Sequence, residues 1–298
     1  MRDVAFIGAG MMGAPMAWRF VERGGRVRLL DPAPEATAPF RGQALVTVHE
    51  DVADLLSGVD TVLLSLPAPA ALLDVGARMA AESSGGTVVI NTSTTGPAAV
   101  REVAATLSAA GMSFVDAPVS GGAAGARQGT LTAIVSGLPD HIARCAPVFD
   151  VIAEHVVAVG PEPGQAQVVK LANNLLSLGA LAITAEATAL TSRAGVPLDV
   201  ALGALNLGSG RNSATAVKFP QHVLTGSFDF GFPVVGALKD VALFSDLADR
   251  LDLPAPLAHA VVDCWRLAVE RGYGEQDCTR IATMYEEMAG SPGGKGER

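Results

Sequence analysis

Three glycines near the start of the chain stand in a pattern that can hold a diphosphate. Gly8, Gly10 and Gly13 follow a short apolar run and precede a helical pattern that includes Met11 and Met12. The first glycine permits a tight turn, the second lets the backbone approach a pyrophosphate, and the third allows close helix–strand packing. The helix N-terminus then offers free N–H groups to the phosphates. The pattern predicts a dinucleotide site, and the alternative is a glycine-rich turn without a ligand.

Asp31 indicates which dinucleotide is bound. It ends the second apolar run, where an acidic side chain hydrogen-bonds the ribose hydroxyls of the adenosine. A carboxylate at this place repels a 2′-phosphate, and the next three residues supply no basic side chain. The sequence therefore favours NAD as the cofactor over NADP. Two alternatives stay open: Asp31 is a turn residue only, or Arg41 swings in to hold a 2′-phosphate.

A lysine and an asparagine further along the chain have the spacing of a proton-transfer pair. Lys170 and Asn174 are four residues apart in a helical pattern, so both project from one face. Oxidation of an alcohol requires a proton acceptor, and the reverse reduction requires a donor with positive charge beside the developing alkoxide. We expect apolar surroundings and a cationic nicotinamide to lower the pKa of Lys170, which suits it to both directions. The alternative is a charge on the helix surface.

Alternating elements must position these residues. In the first half, β-rich runs alternate with helical stretches, which predicts βαβ units and a mainly parallel sheet. The strands are predicted at 4–7, 26–30, 61–66, 87–91, 114–116, 131–135 and 156–159, and helices at 15–23, 68–81 and 97–110. The predicted fold class is α/β: an N-terminal doubly wound sheet followed by an all-helical C-terminal domain. The predicted bounds are 1–161 for the dinucleotide-binding domain, 162–290 for the helical domain and 291–298 for a disordered tail.

The helical half opens with a long apolar helix, predicted to end near residue 194. Residues 171–185 carry no charge, but these 15 residues are fewer than the roughly 20 that span a bilayer. The segment also contains asparagine and threonine, so we interpret it as a buried helix of a soluble protein. It is apolar almost all round, and a second subunit is a natural source of cover.

Composition excludes several classes of function. The 298 residues are enough for two domains, and the net charge of −9 comes without a basic tract longer than two residues. We therefore predict no nucleic-acid partner and no membrane partner. Three scattered cysteines and five scattered histidines match no disulfide framework and no metal site. The apolar run at the N-terminus is too short for a signal peptide, which predicts a cytoplasmic protein.

Four motifs in this order resemble the β-hydroxyacid dehydrogenases, the family of 3-hydroxyisobutyrate dehydrogenase and tartronate semialdehyde reductase. They are GAGMMGAPM at 8–16, DAPVSGG at 116–122, GQAQVVKLANN at 164–174, and Lys239-Asp240. The resemblance covers the chain to about residue 288. It implies a Rossmann-type N-terminal domain, a helical second domain and a site in the cleft between them. It also implies reversible hydride transfer between a small 3-hydroxy acid and a nicotinamide cofactor, in a homodimer or homotetramer.

The resemblance also implies roles for individual residues near the substrate. Lys170 corresponds to the proton-transferring lysine, and Asn174 to the amide that orients the substrate. The segment formed by Ser120, Gly121 and Gly122 corresponds to the loop that holds the substrate carboxylate, and successive N–H groups with a hydroxyl can form such an anion nest. The alternative for this segment is a tight turn that needs two glycines.

Further positions correspond to cofactor contacts. Leu66 and Pro67 close one predicted strand and Thr94 follows the next, and strand ends line the ligand crevice of open α/β sheets. Phe232 corresponds to an aromatic residue that covers the nicotinamide, with ordinary core packing as the alternative. Lys239 is predicted to begin a helix and to reach towards cofactor and substrate, with a local pair to Asp240 as the alternative.

Three positions are left without a definite role. Arg211 and Asn212 lie in the loop that varies with substrate in the family, and either could contact the distal group of the substrate. Asn91 stands where relatives commonly have aspartate.

Three other functions compete with a 3-hydroxyisobutyrate-type dehydrogenase. The first is a tartronate semialdehyde (2-hydroxy-3-oxopropanoate) reductase. The second is an imine reductase, which shares the architecture but usually replaces the catalytic lysine, so Lys170 argues against it. The third is a non-catalytic binding module, against which the presence of both Lys170 and Asn174 argues.

Overall fold

A nine-stranded sheet carries the first half of the chain. The computed structural model describes residues 3–290, so the predicted disordered tail at 291–298 lies outside the described residues. The strands are β1 (Val4–Ile7), β2 (Val27–Leu30), β3 (Val46–Val48), β4 (Thr61–Leu64), β5 (Val88–Asn91), β6 (Ser113–Asp116), β7 (Val119–Ser120), β8 (Leu131–Ser136) and β9 (Ala153–Gly160).

The strand order confirms the doubly wound prediction. The order is β3-β2-β1-β4-β5-β6-β8-β7, with β9 paired to β8. Strands β1 to β6 pair in parallel, β8 runs antiparallel to β6 and β7, and β9 is parallel to β8. Winding proceeds outward from β1 to β3 and then outward from β4 to β6, so the switch point lies between β1 and β4. Ligand crevices of open α/β sheets form at this point, at the carboxyl ends of the strands.

Two strands were missed by the sequence analysis, β3 and β7. They have only three and two residues, and β3 is not fully buried at any position. Segments this short show no hydrophobic period that separates them from a loop. The other seven strands are present with shifts of a few residues at their ends.

Helices cover both faces of the sheet. Successive residues of β1 point to opposite faces, so Phe6 belongs to one apolar core and Ile7 to the other. Phe20 and Phe149 complete the first core, and Leu72 lies in the second. The helices of this half are α1 (Gly13–Glu22), α2 (Pro34–Thr37), α3 (Val52–Leu56), α4 (Pro69–Ala81), α5 (Pro97–Ala109), α6 (Gly122–Gln128) and α7 (Pro139–Ile152), with a 3-10 turn at Ala38–Phe40.

Within its described residues, the second half consists of helices joined by loops, with one isolated β-bridge between Pro233 and Asp277, which agrees with the predicted helical domain. Its core surrounds the fully buried Trp265, with Leu181, Phe219, Val241 and Met284 among its neighbours in the cluster. The helices are α8 (Gln165–Arg193), α9 (Leu198–Leu207), α10 (Val234–Arg250), α11 (Pro256–Ala268) and α12 (Ile281–Ala289), with π-helical segments Ala214–Val223 and Val269–Tyr273 and a 3-10 turn at Cys278–Arg280.

Helix α8 belongs to both compact units of the chain. The first unit ends at Lys170 and the second begins at Leu171, whereas the sequence analysis placed the domain boundary at residue 161. The first residues of α8 lie in the first unit because the buried side chain of Gln167 hydrogen-bonds to strand ends of that unit.

Helix α8 is also the one described helix whose length and composition would allow it to cross a membrane. It has 29 residues, and the mean hydropathy of its most apolar window is 1.5. Its Leu178, Leu181 and Ala185 lie in the core of the second unit. Core helices of water-soluble proteins can share this length and composition.

Candidate active site

The glycine loop, between β1 and α1, contains three glycines, of which two are required by close packing and one faces open space. Gly8 has φ +101°, and a Cβ atom there would overlap the carbonyl oxygen of Ser65. A Cβ atom on Gly13 would overlap the carbonyl oxygen of Gly8, which explains the close packing of α1 on the strand. A Cβ atom on Gly10 would meet nothing within 4 Å. The space beside Gly10 is therefore open on the protein side and available to a bound ligand. This shape of the loop fits a dinucleotide diphosphate.

Helix α1 begins at Gly13, two residues before its predicted start, and no side chain caps its N-terminus. Met11 is exposed and Met12 is half-buried at this end of the helix. The uncapped N–H groups are the donors that a phosphate would accept from.

Asp31 follows β2 directly and contacts the glycine loop. One carboxylate oxygen accepts a hydrogen bond from Ala9 N at 2.7 Å, and the other accepts from Ala33 N at 2.8 Å. Asp31 thus serves the turn, which was the alternative interpretation. Each oxygen keeps a second lone pair, so the carboxylate can also accept from ribose hydroxyls. The predicted ribose contact stays a prediction.

The loops after β4 and β5 are hydrogen-bonded to each other beside the switch point. Strand β4 ends at Leu64, so the predicted strand at 61–66 was two residues too long. Leu66 lies beyond the end of the strand, and its backbone N–H donates a hydrogen bond to Ser93 Oγ at 2.8 Å. Pro67 is exposed and Thr94 half-buried on the same pair of loops. The structure brings these residues to the same edge of the sheet as the glycine loop, and their cofactor contacts stay predictions.

A buried carboxylate lies at the end of the neighbouring strand β6. Asp116 is fully buried, and its Oδ1 accepts hydrogen bonds from Gln167 Nε2 at 2.7 Å and from Asn91 Nδ2 at 3.2 Å. Among the described residues, its Oδ2 has no hydrogen-bond partner. Burial raises the pKa of Asp116 to about 7, and the hydrogen bonds from the two amides oppose this shift.

Gln167 connects this carboxylate to the start of α8. Its Oε1 accepts from Thr95 N at 3.0 Å and Gly96 N at 3.1 Å, while its Nε2 also donates to Ser93 O at 3.0 Å. All four hydrogen-bonding positions of the buried amide are therefore used. Because Lys170 follows three residues later on the same helix, the amide sets the position of Lys170 relative to the strand ends.

The sequence analysis missed Gln167, Asp116 and Asn91 as members of the site. One local signal was available, since an amide three residues before Lys170 faces the same side of the helix. The structure also explains Asn91: its amide donates to Asp116, whereas a second carboxylate at this position would need a shared proton.

The Ser120 segment forms the turn that was its alternative interpretation. Ser120 is the last residue of β7, and Gly122 is the first residue of α6. Gly121 has φ +130° and Gly122 φ +65°, so both glycines are required by the backbone. A Cβ atom on Gly121 would also press on Leu131. The predicted carboxylate contact of this segment stays a prediction.

Helix α8 carries Lys170 and Asn174 as predicted, one turn apart. Lys170 is buried with 7% of its surface exposed. Asn174 Nδ2 donates to Asp240 Oδ2 at 2.6 Å, and Asn174 Oδ1 accepts from Asn173 Nδ2 at 3.1 Å. These two contacts are consistent with one orientation of the Asn174 amide.

Lys239 and Asp240 complete this group in the second unit. Helix α10 begins at Val234, so Lys239 lies in its second turn and not at its start as predicted. Lys239 Nζ lies 3.0 Å from Asp240 Oδ1, which is the local pair considered as the alternative. Asp240 is buried and bridges Lys239 and Asn174, since its two oxygens face different partners. The predicted ligand contact of Lys239 stays a prediction.

Two predicted contacts of the second unit have structural roles. Phe232 packs on the apolar core of this unit, against Gly236, which agrees with core packing. Asn212 Oδ1 accepts from Ala214 N at 2.8 Å and Thr215 N at 3.1 Å, so it caps the π-helical segment. Arg211 is exposed next to it. The contact of Phe232 with the nicotinamide and substrate contacts of Arg211 or Asn212 stay predictions. Within residues 3–290, no three metal-ligating side chains form a cluster.

The raised pKa of Asp116 predicts how stability depends on pH. Between pH 4 and 7 the unfolded chain ionises this carboxyl while the folded protein keeps it protonated. The free energy of unfolding should therefore fall by up to about 1.4 kcal/mol per pH unit and level off above pH 7. Asp116→Asn removes this contribution, so wild type should lose at least about 1.5 kcal/mol relative to the variant between pH 4.5 and 7.5.

Urea unfolding at several pH values measures this difference. Glu154→Gln, at an exposed acid, is the control for the removal of one carboxylate from the chain. Parallel profiles for wild type and Asp116→Asn would show that the folded-state pKa of Asp116 is ordinary.

Two family models together match nearly the whole chain. Residues 3–160 match the NAD binding domain of 6-phosphogluconate dehydrogenase. Residues 164–285 match the model described as NAD-binding of NADP-dependent 3-hydroxyisobutyrate dehydrogenase. The junction between the two matches falls in the loop before α8.

Individual relatives agree with these matches over their full lengths. L-threonate dehydrogenase of Escherichia coli is 31% identical over 295 residues, which are 98% of this chain and 97% of the relative. NAD-dependent L-serine dehydrogenase of Pseudomonas aeruginosa is 31% identical, with coverage of 97% and 100%. The structure of Mycobacterium tuberculosis 3-hydroxyisobutyrate dehydrogenase with L-serine superposes with a TM-score of 0.86 at 28% identity, covering 95% of this chain and 99% of that one. The chain belongs to the β-hydroxyacid dehydrogenase family of NAD(P)-dependent oxidoreductases that act on small hydroxy acids.

Proposed function

We propose that the protein is an NAD-dependent dehydrogenase of a small 3-hydroxy acid of the 3-hydroxyisobutyrate type, which it converts reversibly to the semialdehyde or keto form. The observation that carries the proposal is the buried Lys170 one helical turn from Asn174, whose amide is held by Asp240. The substrates named for the relatives, L-threonate, L-serine and 3-hydroxyisobutyrate, each combine a carboxylate with a hydroxyl group.

The residues of the site have complementary roles in this reaction. The glycine loop holds the diphosphate and Asp31 the ribose; the bound nicotinamide supplies the hydride acceptor. Lys170 takes the proton from the substrate hydroxyl during oxidation and returns it during reduction, when its charge also stabilises the alkoxide. Asn174 donates its remaining N–H to the substrate oxygen, and the Ser120 turn holds the carboxylate.

Other reactions fit the site less well. A tartronate semialdehyde reductase would use the same residues, so only the substrate preference separates it from the main proposal. Imine reductases usually replace the catalytic lysine, so the presence of Lys170 argues against that reaction. A non-catalytic module would need neither Lys170 nor Asn174.

We further propose a cytoplasmic homodimer or homotetramer. The support is the exposed apolar stripe on α8, where Leu176, Ile183 and Leu190 are seven residues apart and each is at least 66% exposed. An apolar stripe of this kind on a soluble protein marks an interaction surface, and light scattering measures the mass of the assembly.

Alanine substitutions at Gly13 and Gly10 should have different effects on stability and on NAD binding. Gly13→Ala should lower the melting temperature of the ligand-free protein, because its Cβ atom would overlap Gly8 O. Gly10→Ala should leave that temperature nearly unchanged but weaken NAD binding at least about tenfold, since the methyl group enters the space of the diphosphate. Calorimetry of both variants tests this; normal NAD affinity in Gly10→Ala would refute the proposed diphosphate position.

The carboxylate of Asp31 predicts cofactor choice. We expect kcat/KM to be at least about tenfold higher with NAD than with NADP, which corresponds to one modest charge repulsion of about 1.4 kcal/mol. Asp31→Ser should narrow this ratio. Equal use of NADP by wild type would leave Asp31 with its turn role alone.

Lys170 predicts the outcome of a two-variant comparison. Lys170→Ala should lower kcat at least about 100-fold, the usual scale for general acid–base catalysis, with NAD affinity little changed. Lys170→Arg keeps a positive charge but does not release a proton, so it should stay close to the alanine variant. Steady-state oxidation of a panel of 3-hydroxy acids measures kcat. Substantial turnover by Lys170→Arg would show that the charge of the lysine matters and its proton transfer does not.

A further inference from the structure

A second buried lysine lies in the helical unit, outside the residues used so far. Lys218 belongs to the π-helical segment Ala214–Val223 and is 4% exposed. Its Nζ lies 2.8 Å from Ser177 Oγ and 3.4 Å from Ser213 Oγ, and 5.3 Å from the ring centroid of Phe230. Within residues 3–290, none of the groups that contact this ammonium is a carboxylate.

This environment is costly for a positive charge. Buried charges in proteins are normally paired with an opposite charge, because hydroxyl groups and an aromatic face repay only part of the lost hydration. Burial accordingly lowers the pKa of Lys218. An anionic ligand at the ammonium would supply the missing negative charge, and the two serine hydroxyls could donate to the same ligand.

Lys218 contacts the helix that carries the proposed substrate-binding residue Asn174. Its partner Ser177 lies three residues after Asn174 on α8, so both side chains project from the same face, roughly 5–6 Å apart at Cβ. The ammonium of Lys218 therefore lies beside the row of α8 side chains that includes Asn174. Lys218 also sits in a stretch of π-helix, a rare conformation that is frequent at functional sites.

We propose that Lys218, with Ser177 and Ser213, forms a subsite for a second anionic group of the substrate, distal to the reacting carbon. This inference rests on the proposed function, and it specifies the substrate class: 3-hydroxy acids whose other end carries a carboxylate, sulfonate or phosphate. Lys218 is a specificity-determining residue of this site and takes no part in proton transfer.

Substrates that share one skeleton and differ at the distal end test the subsite. The series is a 3-hydroxy acid ending in a methyl, carboxylate, sulfonate or phosphate group, used with NAD. Wild type should prefer the best acidic end over the methyl end at least about tenfold in kcat/KM, chiefly through KM. The rank of the three acids then identifies the anion.

Two variants of Lys218 distinguish a role of its charge in substrate binding from a purely structural role. Lys218→Gln can keep a hydrogen bond to Ser177 without the charge, and should reduce the ratio of acidic to methyl substrate to near one. Lys218→Arg keeps the charge and should retain part of the ratio. An unchanged ratio in Lys218→Gln, or an equal loss on both substrates, would overturn the proposal and leave Lys218 as a structural tie between the π-helical segment and α8.

A binding measurement separates this inference from the proposed reaction. Methylbutanedioate and 2-methylbutanoate cannot be oxidised at a hydroxyl and differ by one carboxylate. Calorimetric titration of the NAD-loaded protein should show tighter binding of the dianion, by at least about tenfold, in wild type but not in Lys218→Gln. If this preference is present and no hydroxy acid is oxidised, the proposed function fails and the subsite stands. If the preference is absent, the subsite is wrong whatever the activity.

Discussion

The buried amide of Gln167 is the contact on which the arrangement of the site depends. Its four hydrogen bonds connect the first turn of α8 to Asp116 and to the loop after β5. Because a buried amide that loses its partners costs roughly 1–3 kcal/mol, this connection resists displacement. Lys170, the proposed proton-transfer residue, lies about one turn further along the same helix. The hydrogen bonds of Gln167 therefore fix the position of Lys170.

Different faces of helix α8 make different kinds of contact. One face presents Lys170, Asn174 and Ser177 in a row, since positions four and seven residues apart nearly coincide on a helix. A second face packs Leu181 into the core of the helical unit, and a third exposes the apolar stripe at residues 176, 183 and 190.

Three of the buried charged residues, Asp116, Asp240 and Lys218, are accommodated in different ways. Asp116 has only amide donors, so burial favours its protonated form. Asp240 is paired with Lys239 and also accepts from Asn174, so its charge has partners on both oxygens. Among residues 3–290, the ammonium of Lys218 contacts hydroxyl groups and an aromatic ring but no carboxylate. The difference among the three follows from what each neighbouring element supplies.

Local pattern by itself determined the glycine turn, the alternation of strands and helices, and the shared face of Lys170 and Asn174, because each depends on residues close in the chain. The tertiary structure alone decided the partners of Gln167, which lie 51 to 74 residues away, and the contact of Lys218 with Ser177 across 41 residues. It also moved the start of α10 ahead of Lys239 and made Ser120 part of a strand. Such contacts depend on how elements pack, and no period of a sequence encodes which buried amide will meet which carboxylate.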